Sequence, residues 1–584
     1  MHVVCAPGGL TLDGNAFVFY YGLGDFEPPA APLGARPVGK NTGAILDEIN
    51  PAARSLFVDA TENDREWWGV GDIPAEGDVD VLALPALTSC ALPALSGMPI
   101  DAVLGTTGTG QVVVIGGTAP TSVARLDTGA VSAAEPDLRI PRNGESVTAF
   151  GSGALVAGGL DAQAPGEALA DAEVYDPSVG GFDQQNPILL SEARANHGAA
   201  VLTTGETLLV GGVGADGTTV LASMEIVSPV TRTVRVQNVA SLAYPRVGAT
   251  VMRLATGDVL VAGGADATGA PVTVMELFSS DVRTELATWQ EPVAGAARAY
   301  AALPSGGVLF VVASPGASAG PTAGPTAGAA LQNTWLIDPD GTFEAATPVA
   351  GTLTHPVLFG GAAGAPAMWT GDRWLRWQPW LGSFGALGSL DDVPAQVSDA
   401  TVSPDSGLAM WLDTSNATAT LTALRFDTHG AYSTLEGPLL VDDTTNTSPD
   451  RLAVSPAIAF DPSHGLTLAP GATTIVTDRT YADVAVDLDL PTGATTLVVL
   501  RDETGRESVV GGDTCPLATR AGAASSIHVA RTGASVQWSV PSGASGVCPG
   551  GVAPSARLSV GLRGAAGSAP SVARNLRVTR LDGP

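Results

Sequence analysis

Two stretches of this chain can be laid over each other almost residue for residue. RANHGAAVLTTGETLLVGGVGADGTTVLASMEIVSP runs from Arg194 to Pro229, and PRVGATVMRLATGDVLVAGGADATGAPVTVMELFSS runs from Pro245 to Ser280. Each has an Arg, a short apolar run, Thr-Gly with an acidic residue, and an apolar run closing on Gly-Gly. A polar turn and Met-Glu inside a last apolar run follow. Gly-Gly pairs end at Gly117, Gly159, Gly212 and Gly264, so the intervals are 42, 53 and 52 residues. A period of roughly 40–50 residues marks a propeller or a solenoid. The β-branched runs are short, broken by Gly, Asn and Asp, and lack a helical period, which makes them strands. Four strands per unit make a propeller blade. Glycine at the end of an inner strand permits positive φ and close approach of a neighbouring backbone.

The units resemble kelch repeats. The residues that carry the resemblance are the pairs Gly158-Gly159, Gly211-Gly212 and Gly263-Gly264, followed by Glu173-Val-Tyr-Asp-Pro177 and Glu225-Ile-Val-Ser-Pro229. Phe182 and Trp289 stand where the family has its later aromatic. The resemblance implies a β-propeller of six or seven blades and no single activity. Clear units cover 97–136, 143–190, 194–239 and 246–291. Weaker ones cover 298–347, 353–390, 398–440 and a divergent 41–95. Seven blades is the expected closure, with six and eight as alternatives. The strand Ala16–Tyr21 is expected either to start the propeller or to complete its last blade. Residues 313–330, with Gly-Pro-Thr-Ala twice, read as a surface loop. Asp405, in the turn SPDSGLAMW, reads as turn-forming.

The pattern changes near residue 450. In Thr480–Leu490, Val484, Val486, Leu488 and Leu490 alternate with Asp483, Asp487 and Asp489, the signature of a half-buried antiparallel strand. Further strands are expected at 495–501, 526–531, 535–540, 556–563 and 575–581. The overall expectation is all-β, with a kelch-like propeller over 1–449 and an antiparallel sandwich over 450–584. The second part resembles concanavalin-like and laminin-G-like jelly rolls through Gly465–Gly471, the hairpin Ile527–Trp538 and the closing Ala573–Leu581. That resemblance implies glycan binding in many members, with Ca²⁺ in some.

The net charge is −30, and residues 450–584 hold 11 acidic and 11 basic side chains, so 1–449 carry all of the imbalance. An acidic surface of this kind repels phosphates and disfavours nucleic acid as a partner. No apolar stretch reaches the length of a membrane span. The four cysteines form no CxxC, which argues against a zinc site. The expected disulfides are Cys515–Cys548, within the second domain, and Cys5–Cys90, tying the N-terminus to the first unit. Two disulfides imply an oxidising compartment: secreted, periplasmic or cell surface. The opening MHVVCAPGG lacks a signal peptide's basic and apolar regions, so a signal is expected to have been removed or the chain to be a fragment. A single lysine, Lys40, fits the composition expected of a GC-rich bacterium.

Catalytic motifs are missing. The six histidines show no HExxH spacing, and no GxSxG, P-loop or dinucleotide fingerprint has the right flanks. His197 occupies a repeat position and reads as structural. Two aromatic groups stand out as ligand surfaces: Trp67 and Trp68, beside Asp64, Glu66 and Asp72, and the cluster Trp369, Trp374, Trp377 and Trp380. Trp67, Trp68, Trp374 and Trp377 are the residues expected to stack on a sugar ring. Packing between blades is the alternative for all four. The expected function is binding or adhesion, with a glycan or a surface protein as ligand. The alternatives are a carbohydrate-active enzyme with its site in the propeller channel and a self-assembling surface component.

Overall fold

The computed structural model describes strand segments between residues 2 and 91, residues 102–313 with short gaps, and residues 333–581 with longer ones. All of its elements are strands. Among the described residues, seven antiparallel sheets of four strands follow one another in the chain, the second with a short fifth strand. Their inner strands are Val103–Thr106, Ser146–Phe150, Gly198–Val201, Thr250–Arg253, Arg298–Ala302, Val357–Phe359 and Val397–Val402. Each inner strand touches the next, and the last touches the first, so the sheets close into a ring. The fold is a β-propeller, and the ring has seven blades, here numbered in that order.

The second strand of each repeat is the most deeply buried: Thr207–Val210, Val259–Ala262 and Val308–Val312 are buried at every position. A strand covered by blades on both faces reads as an unbroken apolar run instead of an alternating one. The Gly-Gly that follows is forced by its neighbours. Gly158 and Gly211 have φ of 58° and 60°. A Cβ on either would sit 2.2 Å or 2.5 Å from the carbonyl oxygen of Arg194 or Arg246 in the next blade. The repeat's most visible signature is therefore a contact between blades.

Closure departs from the expectation for Ala16–Tyr21. The outer strand of blade 7 is Ser89–Ala91, pairing with Thr420–Arg425 at Thr422↔Ala91, Ala423↔Cys90 and Leu424↔Ser89. Strand Ala16–Gly22 lies instead in a separate five-stranded sheet with Gly34–Val38, Ala53–Glu62, Arg65–Asp72 and Leu84–Pro85. The divergent unit 41–95 thus supplies three of the five strands of that sheet and the closing strand, and is not an eighth blade.

Two sheets complete the chain. The larger runs Ile458–Asp461, Gly465–Leu468, Ser571–Arg580, Val484–Leu490, Ser525–Thr532, Ser535–Ser539 and Ser545–Cys548, with Leu439–Val441 also on Ser571–Arg580. The smaller runs Thr473–Tyr481, Leu558–Gly564, Thr496–Asp502 and Glu507–Val510. Side chains of both sheets share one apolar core: Val486, Leu488, Val529 and Trp538 from the larger, Val498, Leu500, Val560 and Leu562 from the smaller. Val484–Leu490 shows the alternation read in the sequence, with Asp487 and Asp489 on the outer face. Leu439–Val441, expected in the first domain, pairs with this sheet. Cys515 and Cys548 are bridged and buried in the shared core. Arg506 of the smaller sheet reaches Asp338 of blade 5 at 3.0 Å.

Candidate functional site

The repeat's Arg and Glu meet in the structure. Arg142, Arg194 and Arg246 are spaced by 52 residues, and all three are buried. Arg142 pairs with Glu173, Arg194 with Glu225 at 2.7 Å, and Arg246 with Glu276. Each guanidinium also donates to the first Gly of its own Gly-Gly: to Gly158 O at 3.0 Å, Gly211 O at 2.8 Å and Gly263 O at 3.1 Å. The backbone carbonyl of each Arg accepts from a Gly of the preceding blade, Gly117, Gly159 or Gly212. Each Glu accepts a backbone N–H three residues before its Arg, from Arg139, Ser191 or Ala243. One Arg–Glu pair therefore ties two blades, and buried charge is satisfied on both sides. Burial raises the Glu276 carboxyl above its ordinary value and lowers Arg246. The sequence signal for this lattice is a Glu inside an otherwise apolar strand, 30 or 31 residues after the Arg.

The junction between blades 4 and 5 is built differently. Here Tyr300 approaches Gly263, where a Cβ would lie 3.1 Å from the Tyr300 ring. Tyr300 Oη donates to Glu291 at 2.7 Å, Arg298 faces the same carboxylate at 3.0 Å, and Arg298 Nη1 donates to Val272 O at 2.9 Å. Burial, then the Glu291 charge, pushes the Tyr300 hydroxyl far above its ordinary value, and burial raises Glu291. The ring stacks on Phe310, which stacks on Trp335.

His197 lies between blades 2 and 3. Its Nε2 is 2.9 Å from Ser146 Oγ, and its Nδ1 has no hydrogen-bond partner among the described residues. Burial, followed by the charge of Arg194, lowers its pKa to about 3, so the imidazole is neutral at ordinary pH. The repeat places Glu145 and Ala249 at the equivalent positions.

The aromatic residues divide. Trp377 is 1% exposed, edge-on to Phe384 at 5.2 Å, and packs with Leu303, Leu309 and Leu336. It is core, which removes it as a stacking surface. Phe182 and Trp289 are core as well. Trp67 and Trp68 lie on Arg65–Asp72, opposite Ala60 and Asp59, and Trp374 lies opposite Trp369. For Trp67, Trp68 and Trp374 only the backbone is described. Trp380, Asp405, Cys5 and 314–330 lie outside the described residues.

The outer face of the larger C-terminal sheet carries polar side chains at Asp487, Asp489, Ser526, His528 and Gln537, with Val547 exposed opposite Gln537. Asp487 Oδ1 accepts from His528 Nδ1 at 2.7 Å, and Asp489 accepts from Ser526 Oγ. Among the described residues no group of three or more His, Cys, Asp or Glu is placed to hold a metal ion, and no helix is long and apolar enough to cross a membrane.

No protein-family model and no curated protein sequence matches the chain. Among solved structures, one of YjhT is similar over 56% of this chain and 99% of its own, at 12% identity and a TM-score of 0.36. A streptogramin B lyase structure is similar over 57% of this chain and 96% of its own, at 9% identity and a TM-score of 0.39. The propeller assignment stands on the closed ring of sheets.

Proposed function

We propose that this is a binding or adhesion protein of an extracellular or cell-surface compartment, with a glycan or another surface component as its ligand. Its C-terminal sheets are read as a sandwich of the concanavalin or laminin-G type. One observation carries the reading. The repeated Arg–Glu pairs of blades 2–4 hold blades together, as in Arg194 with Glu225, Gly211 and Ser223. What remains for a ligand is a rigid scaffold with exposed loops and sheet faces, the arrangement in which recognition is usually carried. The buried Cys515–Cys548 bridge supports an oxidising compartment. The test is a glycan-array screen of the full chain with and without calcium. Selective binding is expected, and silence on every glycan in both conditions would overturn the glycan reading.

A second reading, a carbohydrate-active enzyme working in the propeller channel, draws on one observation. Arg298, Glu291 and Tyr300 gather where the first residue of an inner strand meets the preceding blade. Arg298 offsets the Glu291 charge and Tyr300 donates to the same carboxylate, which favours the binding reading.

A further inference from the structure

We draw no further inference here: the strongest candidate, the buried side-chain cluster of Arg298, Glu291 and Tyr300 at the junction of blades 4 and 5, belongs to the site already described, and among the described residues its groups meet one another with nothing beside them that points to a ligand.

Discussion

The propeller and the C-terminal sandwich solve the same problem with opposite chemistry. Each blade is a narrow sheet whose two faces are covered by its neighbours. Its apolar contacts come in small local clusters, such as Leu202, Leu208, Val210, Ile226 and Phe278 between blades 3 and 4. What recurs from blade to blade is ionic: Arg194 with Glu225, Arg246 with Glu276. The sandwich has one continuous core of Val, Leu and Ile from both sheets, clipped by Cys515–Cys548. A stack of similar sheets can slip or pair with the wrong neighbour, because apolar faces are non-directional. A buried Arg with five fixed donors accepts only one arrangement of carboxylate and carbonyls. The propeller thus fixes register with charge, and the sandwich fixes it with packing and a covalent link.

The sharpest way to break this comparison is to remove one charge from a blade junction. Arg194→Met leaves Glu225 buried without its partner, and an unpaired buried charge costs about 3–5 kcal/mol. The double variant Arg194→Met, Glu225→Leu should recover much of that loss, because a buried pair replaced by apolar groups is often near neutral. Urea unfolding of the three proteins checks this. Equal losses in the single and double variants would mean that the Arg works through its carbonyl contacts alone. In the sandwich the matching change is Cys515→Ser with Cys548→Ser. The bridge closes a loop of 33 residues, for which chain entropy gives about 3–4 kcal/mol. The loss should fall on the sandwich transition and leave the propeller transition where it was. A single shared shift would show that the two parts unfold as one unit.

Legibility in the sequence follows the same division. The blades can be counted because their constraint is local and repeated. Gly158 and Gly211 are forced by a neighbouring carbonyl, and such a contact leaves the same mark in successive blades. The alternation of Val484–Leu490 is legible for a similar reason, since one face is wet. The closing strand Ser89–Ala91 is not. It is three residues long, and its only distinguishing property is its partner, Thr420–Arg425, which is remote in the chain. The Arg–Glu lattice carries a signal that composition hides, a Glu in an apolar strand at fixed distance from an Arg. Trp377 reads as a sugar platform, yet it is core, because aromatic density looks the same in a core and on a surface. The outer-face group of Asp487, Asp489 and His528 joins residues far apart in sequence, and only strand register brings them together.

His197 offers the finest probe of how the propeller holds charge away from its interior. Unlike the arginines it has no carboxylate partner among the described residues, only Ser146, so the blade keeps it neutral. Its pKa is lowered from 6.5 to about 3 in the folded chain. Between those values the unfolded chain takes up a proton that the folded chain refuses, so stability falls as the medium becomes more acidic. The contribution is fully present above pH 6.5 and is lost progressively as pH falls toward 3. At pH 5 the loss is about 2 kcal/mol, because each tenfold change in a protonation equilibrium is worth about 1.36 kcal/mol. His197→Ala restores the residue type that the repeat carries at Ala249. It should lower stability at neutral pH through lost packing, yet flatten the slope between pH 7 and pH 5 by that amount. The slope separates the two effects, because a cavity costs the same at every pH. An unchanged slope would mean that His197 is already solvated in the folded chain, and that the junction between blades 2 and 3 is open to water where Arg194 and Arg246 are sealed from it.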